Sequence, residues 1–285
     1  MAGTESLLDR TRKLLRRSGL RARKRLGQHF LIDEGVLYRI LDAAALKPDD
    51  TVVEVGPGLG VLTEELAERA GRVIAIELDD KLAEILKQDL TALDNVRIIN
   101  GDILKIDPAS LLPEQSRNYK VVANLPYYIT SPVLRHFLEA DTPPQLLVVM
   151  VQKEVAEEIA ARPGRMSLLS VSVQLYGKPE IVEYVPAASF YPAPEVDSAI
   201  LKVVPYTRIL IEVTDRESFF TLVRAGFSAA RKQLANSLTQ GLSLSKAETL
   251  SLLEGAEIEA KRRAETLSIE EWLHLWRVYT GKGVD

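Results

Sequence analysis

Residues 52 to 60 read VVEVGPGLG, and this stretch decides the fold. An apolar strand runs into a turn that contains three glycines, and residues 61 to 66 continue with a helical pattern of apolar positions. Glycines allow a backbone to take left-handed conformations and to approach a bound nucleoside closely. The stretch therefore predicts a strand, turn and helix that bind a nucleoside-containing cofactor.

Two further strands end in acidic residues. Residues 72 to 76 precede Glu77, a side chain that can accept hydrogen bonds from ribose hydroxyls. Residues 96 to 100 precede Gly101 and Asp102, whose carboxylate is placed to meet the exocyclic amine of a bound adenine. The first two strands fit a nicotinamide cofactor as well as S-adenosylmethionine, and the third favours S-adenosylmethionine. Both acids also suit helix N-caps, which is the structural alternative.

A tetrapeptide, NLPY at residues 124 to 127, follows the apolar run 119 to 123. The side-chain oxygen of Asn124 and the carbonyl of Leu125 offer two acceptors for the hydrogens of a planar NH2 group, and Tyr127 offers a ring for stacking. Adenine N6, cytosine N4 and a glutamine amide all carry such a group. Asn-x-Pro also marks ordinary exits from strands, so the tetrapeptide is informative mainly in combination with its neighbours.

Strands and helices alternate along the first two thirds of the chain. Strands are predicted at 51–55, 72–77, 96–100, 119–123 and 145–151, and helices near 35–46, 60–70, 79–90, 131–140, 153–161 and around Leu168 to Leu175. The alternation predicts an open, mostly parallel sheet. Two later strands, 181–185 and 199–204, resemble an antiparallel pair. Helical segments are predicted near 215–240, 245–254 and 269–280.

A proline-rich loop, FYPAPEVDS at residues 190 to 198, joins these last two strands. Phe190 can face Tyr127 across an extruded base. The alternative is that Phe190 plugs the end of the sheet.

Composition excludes several classes of protein. The chain has 285 residues, enough for one substantial domain and a small second one. It has no cysteine, which excludes disulfides and thiolate chemistry, and its three histidines lie far apart, so no metal is expected. There is no run of eighteen apolar residues, so we expect no membrane span.

Charge is distributed unevenly. The net charge is −4, yet residues 1 to 32 carry nine basic against two acidic residues, or +7, which leaves −11 for the remainder. Such a segment predicts a polyanionic partner, with nucleic acid the natural candidate. A solvated basic tail and a mitochondrial presequence are the alternatives. The basic residues are Arg10, Arg12, Lys13, Arg16, Arg17, Arg21, Arg23, Lys24 and Arg25.

Six motifs together resemble the ribosomal RNA adenine N6,N6-dimethyltransferases, from about residue 23 to the C-terminus. They are KRLGQHFL at 24–31, EVGPGLG at 54–60, Glu77, Gly101-Asp102, NLPY at 124–127 and FYPAPEVDS at 190–198. The segments VRAGF at 223–227 and RKQLANSL at 231–238 resemble the C-terminal helical domain of the bacterial branch. That branch dimethylates two adjacent adenines in the 3′-terminal hairpin of 16S ribosomal RNA.

The resemblance implies a Rossmann-like class I methyltransferase: a mostly parallel sheet with an antiparallel edge, followed by a small all-α domain. It implies S-adenosyl-L-methionine as cofactor, 16S ribosomal RNA in the small subunit or its precursor as partner, and a monomeric protein of the cytoplasm. We expect a basic arm at 1–22, a catalytic domain at 23–207 and a helical RNA-docking domain at 208–285. The expected cofactor-binding residues are His29, Leu31, Gly56, Gly58, Glu77, Leu78, Asp102, Ile103 and Asn124. The expected catalytic residues are Asn124, Leu125, Tyr127 and Phe190, and the expected RNA-binding residues are Arg21, Arg23, Lys24, Arg25, Arg224, Arg231 and Lys232.

Other functions share part of this pattern. A 23S ribosomal RNA methylase of the macrolide-resistance type would carry the same catalytic motifs and differ mainly in the helical domain. DNA adenine and protein glutamine methylases commonly have Pro at the position of Leu125. A mainly non-catalytic assembly factor and a nicotinamide dehydrogenase are the alternatives from other classes.

Overall fold

The structure, a computed structural model, describes residues 6–17, 19, 28–113, 118–208, 210–229 and 231–282. Its strands are β1 (Phe30–Leu31), β2 (Thr51–Val55), β3 (Arg72–Glu77), β4 (Val96–Asn100), β5 (Lys120–Asn124), β6 (Leu146–Gln152), β7 (Gly177–Val185), β8 (Phe190–Tyr191) and β9 (Ser198–Pro205). Its helices are α1 (Leu7–Arg17), α2 (Glu34–Ala44), α3 (Val61–Arg69), α4 (Asp80–Asp89), α5 (Pro108–Leu111), α6 (Thr130–Leu138), α7 (Lys153–Ile159), α8 (Leu168–Gln174), α9 (Arg216–Phe227), α10 (Leu234–Gly241), α11 (Lys246–Gly255) and α12 (Ile269–Thr280).

Within the described residues, seven strands form one sheet in the order β4-β3-β2-β5-β6-β9-β7. The pairs from β4 to β6 are parallel, and β9 runs antiparallel to β6. Strand order reverses between β2 and β5, and ligands of open α/β sheets bind at the carboxyl ends of the strands on either side of such a point. The predicted fold class, with a mostly parallel sheet and an antiparallel edge, is confirmed.

The strand β2 and its turn explain this architecture locally. All five residues of β2 are buried, as expected for a central parallel strand covered on both faces. The turn that follows holds Gly56 at φ +68° and Gly58 at φ +61°, where a side chain would be strained. A Cβ on Gly58 would lie 3.3 Å from the Phe30 ring. The two glycines thus allow the chain to reverse tightly between β2 and α3.

The chain divides into two compact units. The first comprises residues 1–156 and 178–205, and the second comprises residues 157–177 and 206–285. The expected boundary at 207/208 differs by two residues from the observed one. The expectation did not include residues 157–177 in the helical unit; there Val171 and Leu175 of this segment lie in one apolar core with Trp272.

Residues 1–22 do not form a separate arm where the structure describes them. Helix α1 begins at Leu7, and Leu7 belongs to the core of the first unit together with Val36 and Ile40. Apolar burial at one stripe of the helix gives it a fixed place, which its high charge concealed in the sequence. Arg21, Arg23, Lys24 and Arg25, predicted to bind RNA, lie outside the described residues.

The second unit is helical. Trp272 is fully buried in its core, and the N-termini of α11 and α12 are closed by capping boxes at Ser245 and Ser268. The predicted helix at 215–240 is two helices, α9 and α10, because residues 228–233 leave the helical path between them. Among the residues described, no helix has the length and apolar character that crossing a membrane requires.

Candidate active site

A pocket of about 320 Å³ lies where the glycine turn and the ends of β3, β4 and β5 meet. The structure brings into its lining every predicted cofactor-binding residue and three of the four predicted catalytic residues. These are His29, Leu31, Gly56, Gly58, Glu77, Leu78, Asp102, Ile103, Asn124, Leu125 and Tyr127.

Glu77 is held at the end of β3 by backbone donors. Its Oε2 accepts a hydrogen bond from the Gly58 N–H at 3.2 Å, and its Oε1 accepts one from the Asp79 N–H at 2.9 Å. Burial raises the pKa of Glu77, although these hydrogen bonds oppose the shift. Each carboxylate oxygen has a second lone pair, so Glu77 is fixed in direction and can still accept from a ligand hydroxyl.

Two large apolar side chains are exposed beside Glu77 and Asp102. Leu78 is 51% exposed and Tyr128 is 54% exposed, and both line the pocket. Burial raises the pKa of the Tyr128 hydroxyl, and the charges of Glu77 and Asp102 raise it further. This end of the pocket combines apolar surfaces with acceptors, which suits the flat ring and the hydroxyls of an adenosine. The sequence left Tyr128 open as a packing residue, and its position in the pocket was not predicted.

Asp102 serves both as a cap and as a pocket residue. Its Oδ1 accepts from the Leu104 N–H at 3.1 Å, which starts the short 3₁₀ turn at Ile103–Lys105. The N-cap alternative is therefore correct for Asp102, but it does not exclude binding, because the second oxygen is available to a ligand amine.

Asn124 ends β5 with its amide in a defined orientation. The Nδ2 group donates to the His29 carbonyl at 3.1 Å. This contact directs the Oδ1 atom away from His29 and makes it the acceptor that Asn124 presents. The predicted grip on an NH2 group therefore has its acceptor set by the fold.

Tyr127 is held at both ends of its side chain. Its hydroxyl forms a hydrogen bond with the Ser198 Oγ at 2.7 Å, and its ring stacks on His29 with centroids 5.8 Å apart and planes at 22°. The Nδ1–H of His29 donates in turn to the Pro192 carbonyl at 2.7 Å. Ser198 and Pro192 were not predicted as site residues; their signal was that both belong to the proline-rich loop.

Known proteins resemble this chain over almost its whole length. The family model described as ribosomal RNA adenine dimethylase matches residues 19–275. The chain belongs to the ribosomal RNA adenine dimethylase family. It is an enzyme that methylates adenine in ribosomal RNA, and S-adenosyl-L-methionine is its methyl donor.

Individual relatives agree with the family. The "Ribosomal RNA small subunit methyltransferase A" of Dehalococcoides mccartyi is 58% identical over 279 residues, which cover 98% of this chain and 95% of that protein. The structure of a dimethyladenosine transferase from Plasmodium falciparum is 28% identical with a TM-score of 0.76 and covers 90% of this chain and 99% of its own. That of the 23S rRNA methyltransferase ErmE is 31% identical with a TM-score of 0.70, covering 87% and 98%.

The pocket of this dimethylase fits its cofactor. Three acidic side chains, Glu54, Glu77 and Asp102, line it, and S-adenosylmethionine carries a positive sulfonium and an ammonium group. One oxygen of the buried Glu54 carboxyl has no hydrogen-bond partner among the described residues. A buried polar atom without a partner favours a ligand that supplies one. Among the described residues, by contrast, no group of three or more His, Asp or Glu side chains is placed to hold a metal ion.

Phe190 is the predicted catalytic residue that the structure does not bring into the pocket. Pairing of β8 with β1 places Phe190 opposite Leu31, and its side chain is 2% exposed in the core that contains Leu7 and Val36. In this arrangement Phe190 closes the end of the sheet and has no face available for stacking, so the plugging alternative describes it correctly.

The predicted RNA-binding residues of the second unit are on its surface. Arg224, Arg231 and Lys232 are all exposed. Arg224 forms an ion pair with Glu217 at 2.6 Å, and the Lys232 Nζ lies 3.4 Å from the Gln240 Oε1. Exposed cations can reach phosphates, and their role in RNA binding stays a prediction.

Glu54 is a pocket residue that the sequence analysis did not select. Burial raises its pKa from a usual value of 4.5 to about 8, and the charge of Glu77 contributes. In the folded protein Glu54 therefore keeps its proton at pH values at which the unfolded chain has lost it. Its position two residues before Gly56 was visible, but acids in this position of a strand are not distinguished from structural ones by pattern alone.

We expect the stability of the cofactor-free enzyme to fall as the pH rises from about 5 to about 8. Because the folded-state pKa is raised, the contribution of Glu54 is complete at low pH and is lost as the pH passes its folded value, with a slope of at most about 1.4 kcal/mol per pH unit. Glu54→Gln keeps the shape without the titration. Urea denaturation at several pH values should give a flatter dependence for the variant, and parallel curves would contradict the assignment.

Proposed function

We propose that this enzyme dimethylates N6 of two adjacent adenines in the 3′-terminal hairpin of 16S ribosomal RNA during biogenesis of the small subunit. The observation that carries the proposal is the Asn124 amide, whose Nδ2 is bound to the His29 carbonyl so that Oδ1 is the acceptor beside Tyr127. The name of the Dehalococcoides mccartyi relative supports the small subunit as the site of action.

The chemistry follows from the acceptors at the end of β5. When bound, S-adenosylmethionine supplies an electrophilic methyl group on its sulfonium. The N6 lone pair of adenine is delocalised into the ring, and Asn124 Oδ1 together with the Leu125 carbonyl draws the amine hydrogens out of that plane. These hydrogen bonds strengthen as positive charge develops on nitrogen, so they favour the transition state over the ground state. The new C–N bond forms as the C–S bond breaks, and N6 then loses a proton to water.

Tyr127 offsets the cost of extruding the target base. Stacking on an aromatic ring contributes about 1 to 3 kcal/mol per base, and extrusion costs a few kcal/mol. The bonds to Ser198 and the contact with His29 hold the ring in place before the base arrives, which lowers the entropy cost of binding.

Two methyl transfers have a physical end point. A singly methylated N6 still has one hydrogen for Asn124 Oδ1 or the Leu125 carbonyl, whereas N6 with two methyl groups has none. The dimethylated base is therefore held less well than either substrate and leaves.

The proposal includes the cellular setting. The enzyme acts in the cytoplasm as a monomer, on the small subunit or its precursor, and its transfer step uses no metal. The exposed cations of the second unit, Arg224, Arg231 and Lys232, contact the RNA.

The test offers three substrates in parallel. Full-length enzyme and labelled S-adenosylmethionine are incubated with unmethylated small subunits, with large subunits and with DNA, and primer extension locates the product, because dimethylated adenine cannot form a Watson–Crick pair. We expect two adjacent stops near the 3′ end of 16S ribosomal RNA. Label in 23S ribosomal RNA or in DNA, with none in the small subunit, would overturn the proposal.

Charge reversal in the second unit should separate docking from cofactor binding. Arg231→Glu combined with Lys232→Glu should reduce co-sedimentation with unmethylated small subunits by at least about tenfold, because each lost phosphate contact also removes nearly one unit of salt dependence. Calorimetry should show unchanged affinity for S-adenosylmethionine. Lys261, a surface lysine of the same unit, provides the matched control Lys261→Glu. Wild-type co-sedimentation of the double variant would show that these residues do not form the docking surface.

A further inference from the structure

Helix α1 has no part in the function described so far. The family match begins at residue 19, so this helix lies before it. Its buried residues are Leu7, Thr11 and Leu15, each four positions from the next, which places them on one face. A docked helix with one buried face has a defined set of contacts, and those contacts indicate what it does.

The last buried residue of α1 lies against the wall of the pocket. Leu15 is 8% exposed and forms one apolar cluster with Phe30, Leu59 and Leu82. All three of these partners line the pocket. The Phe30 ring also packs on Gly58, where an added Cβ would approach it to 3.3 Å. Leu15 thus supports the side chain that lies directly on the glycine turn.

The charges of α1 fasten it to the helices that follow the two cofactor loops. Arg10 forms an ion pair with Glu64 of α3, the helix after the glycine turn. Arg17 forms an ion pair with Asp89 of α4, the helix after Glu77. These basic residues, which the sequence assigned to a polyanionic partner, therefore have acidic partners within the first unit.

A third cation reaches the loop on the other side of the pocket. The Arg12 guanidinium lies 5.4 Å from the centroid of the Tyr191 ring, within the range of a cation–π contact. Tyr191 precedes Pro192, whose carbonyl accepts from His29. Helix α1 thereby contacts the segments that carry both halves of the site.

We propose that α1 is a clasp that preorganises the pocket for S-adenosylmethionine, with Leu15 as a positioning residue. The clasp restrains Phe30 and the glycine turn before the cofactor binds, so that less ordering remains to be done on binding. This role depends on the cofactor alone and is independent of which ribosomal RNA is methylated.

The decisive measurement is calorimetric affinity for S-adenosylmethionine in the full chain, well below the melting temperature. Leu15→Ala should weaken binding by about tenfold, because a loosened wall must be ordered when the cofactor binds. The matched control is Leu111→Ala, the same substitution at a residue that is 5% exposed and does not line the pocket. It should lower the melting temperature while leaving affinity unchanged. If Leu15→Ala also lowers only the melting temperature, α1 stabilises the fold and is not a clasp.

A charge swap provides a second test that does not remove packing. Arg10→Glu places two acids together and should weaken cofactor binding by about threefold or more, since exposed pairs contribute modestly. Adding Glu64→Arg restores an ion pair in the opposite direction and should return the affinity to that of the wild type. A double variant as weak as the two single changes combined would overturn the proposal, because the helix contact would then not be what the cofactor senses.

Discussion

Asn124→Ala is expected to reduce the single-turnover rate of methyl transfer by at least about a hundredfold, the scale of losing one preorganised polar contact to a transition state. The substitution removes the Oδ1 acceptor that the bond between Nδ2 and the His29 carbonyl holds in place. Affinity for S-adenosylmethionine should change much less, because Glu77, Asp102 and the glycine turn are untouched. Rapid-quench measurement with saturating cofactor and unmethylated small subunits gives the rate.

A matched control separates chemistry from folding. Asn95 also donates its side-chain amide to backbone carbonyls, those of Ala67 and Ala70, but it does not line the pocket. Asn95→Ala should lower stability and leave the single-turnover rate close to that of the wild type. If Asn124→Ala transferred methyl groups as fast as Asn95→Ala, the Asn124 grip would not be the catalytic device.

The central sheet was predictable because its signals are local. The strand at 51–55 and the turn after it were expected with the bounds observed for β2, since an apolar run followed by glycines has few other structures available. Glu77, Asp102 and Asn124 each end a strand, and the carboxyl ends of parallel strands meet at one edge of the sheet. That geometric rule alone brings the three residues together.

The features that sequence did not predict depend on contacts between distant segments. Phe190 faces the core because β8 pairs with β1, which lies some 160 positions away. No local pattern in a two-residue strand reports such a partner. Helix α1 carries its apolar stripe in plain view, but only the positions of Glu64 and Asp89 show that its charges are satisfied within the protein. Charge in a sequence indicates a polyanionic partner only where the fold leaves it unpaired.

Glu77→Ala is expected to weaken S-adenosylmethionine binding by about 1.5 to 3 kcal/mol, the range for hydrogen bonds to a charged group. Its carboxylate also accepts from the N–H groups of Gly58 and Asp79, so part of this loss can come from the loop rather than from a ribose. Glu77→Gln is no neutral control, because an amide would turn an NH2 toward one of those donors.

The ligand supplies the control instead. Removing the 2′-hydroxyl or the 3′-hydroxyl from the cofactor should weaken binding to the wild type, and the same removal should cost little in Glu77→Ala, since the partner is already gone. Calorimetry of both proteins with the complete and the deoxy ligands closes a cycle whose coupling isolates the direct contact. If the hydroxyl were worth as much in the variant as in the wild type, Glu77 would act through Gly58 and the loop, and the ribose would have to find its acceptor elsewhere in the pocket. Binding to the small subunit should survive the substitution, because Glu77 is part of the cofactor pocket and not of the exposed basic surface.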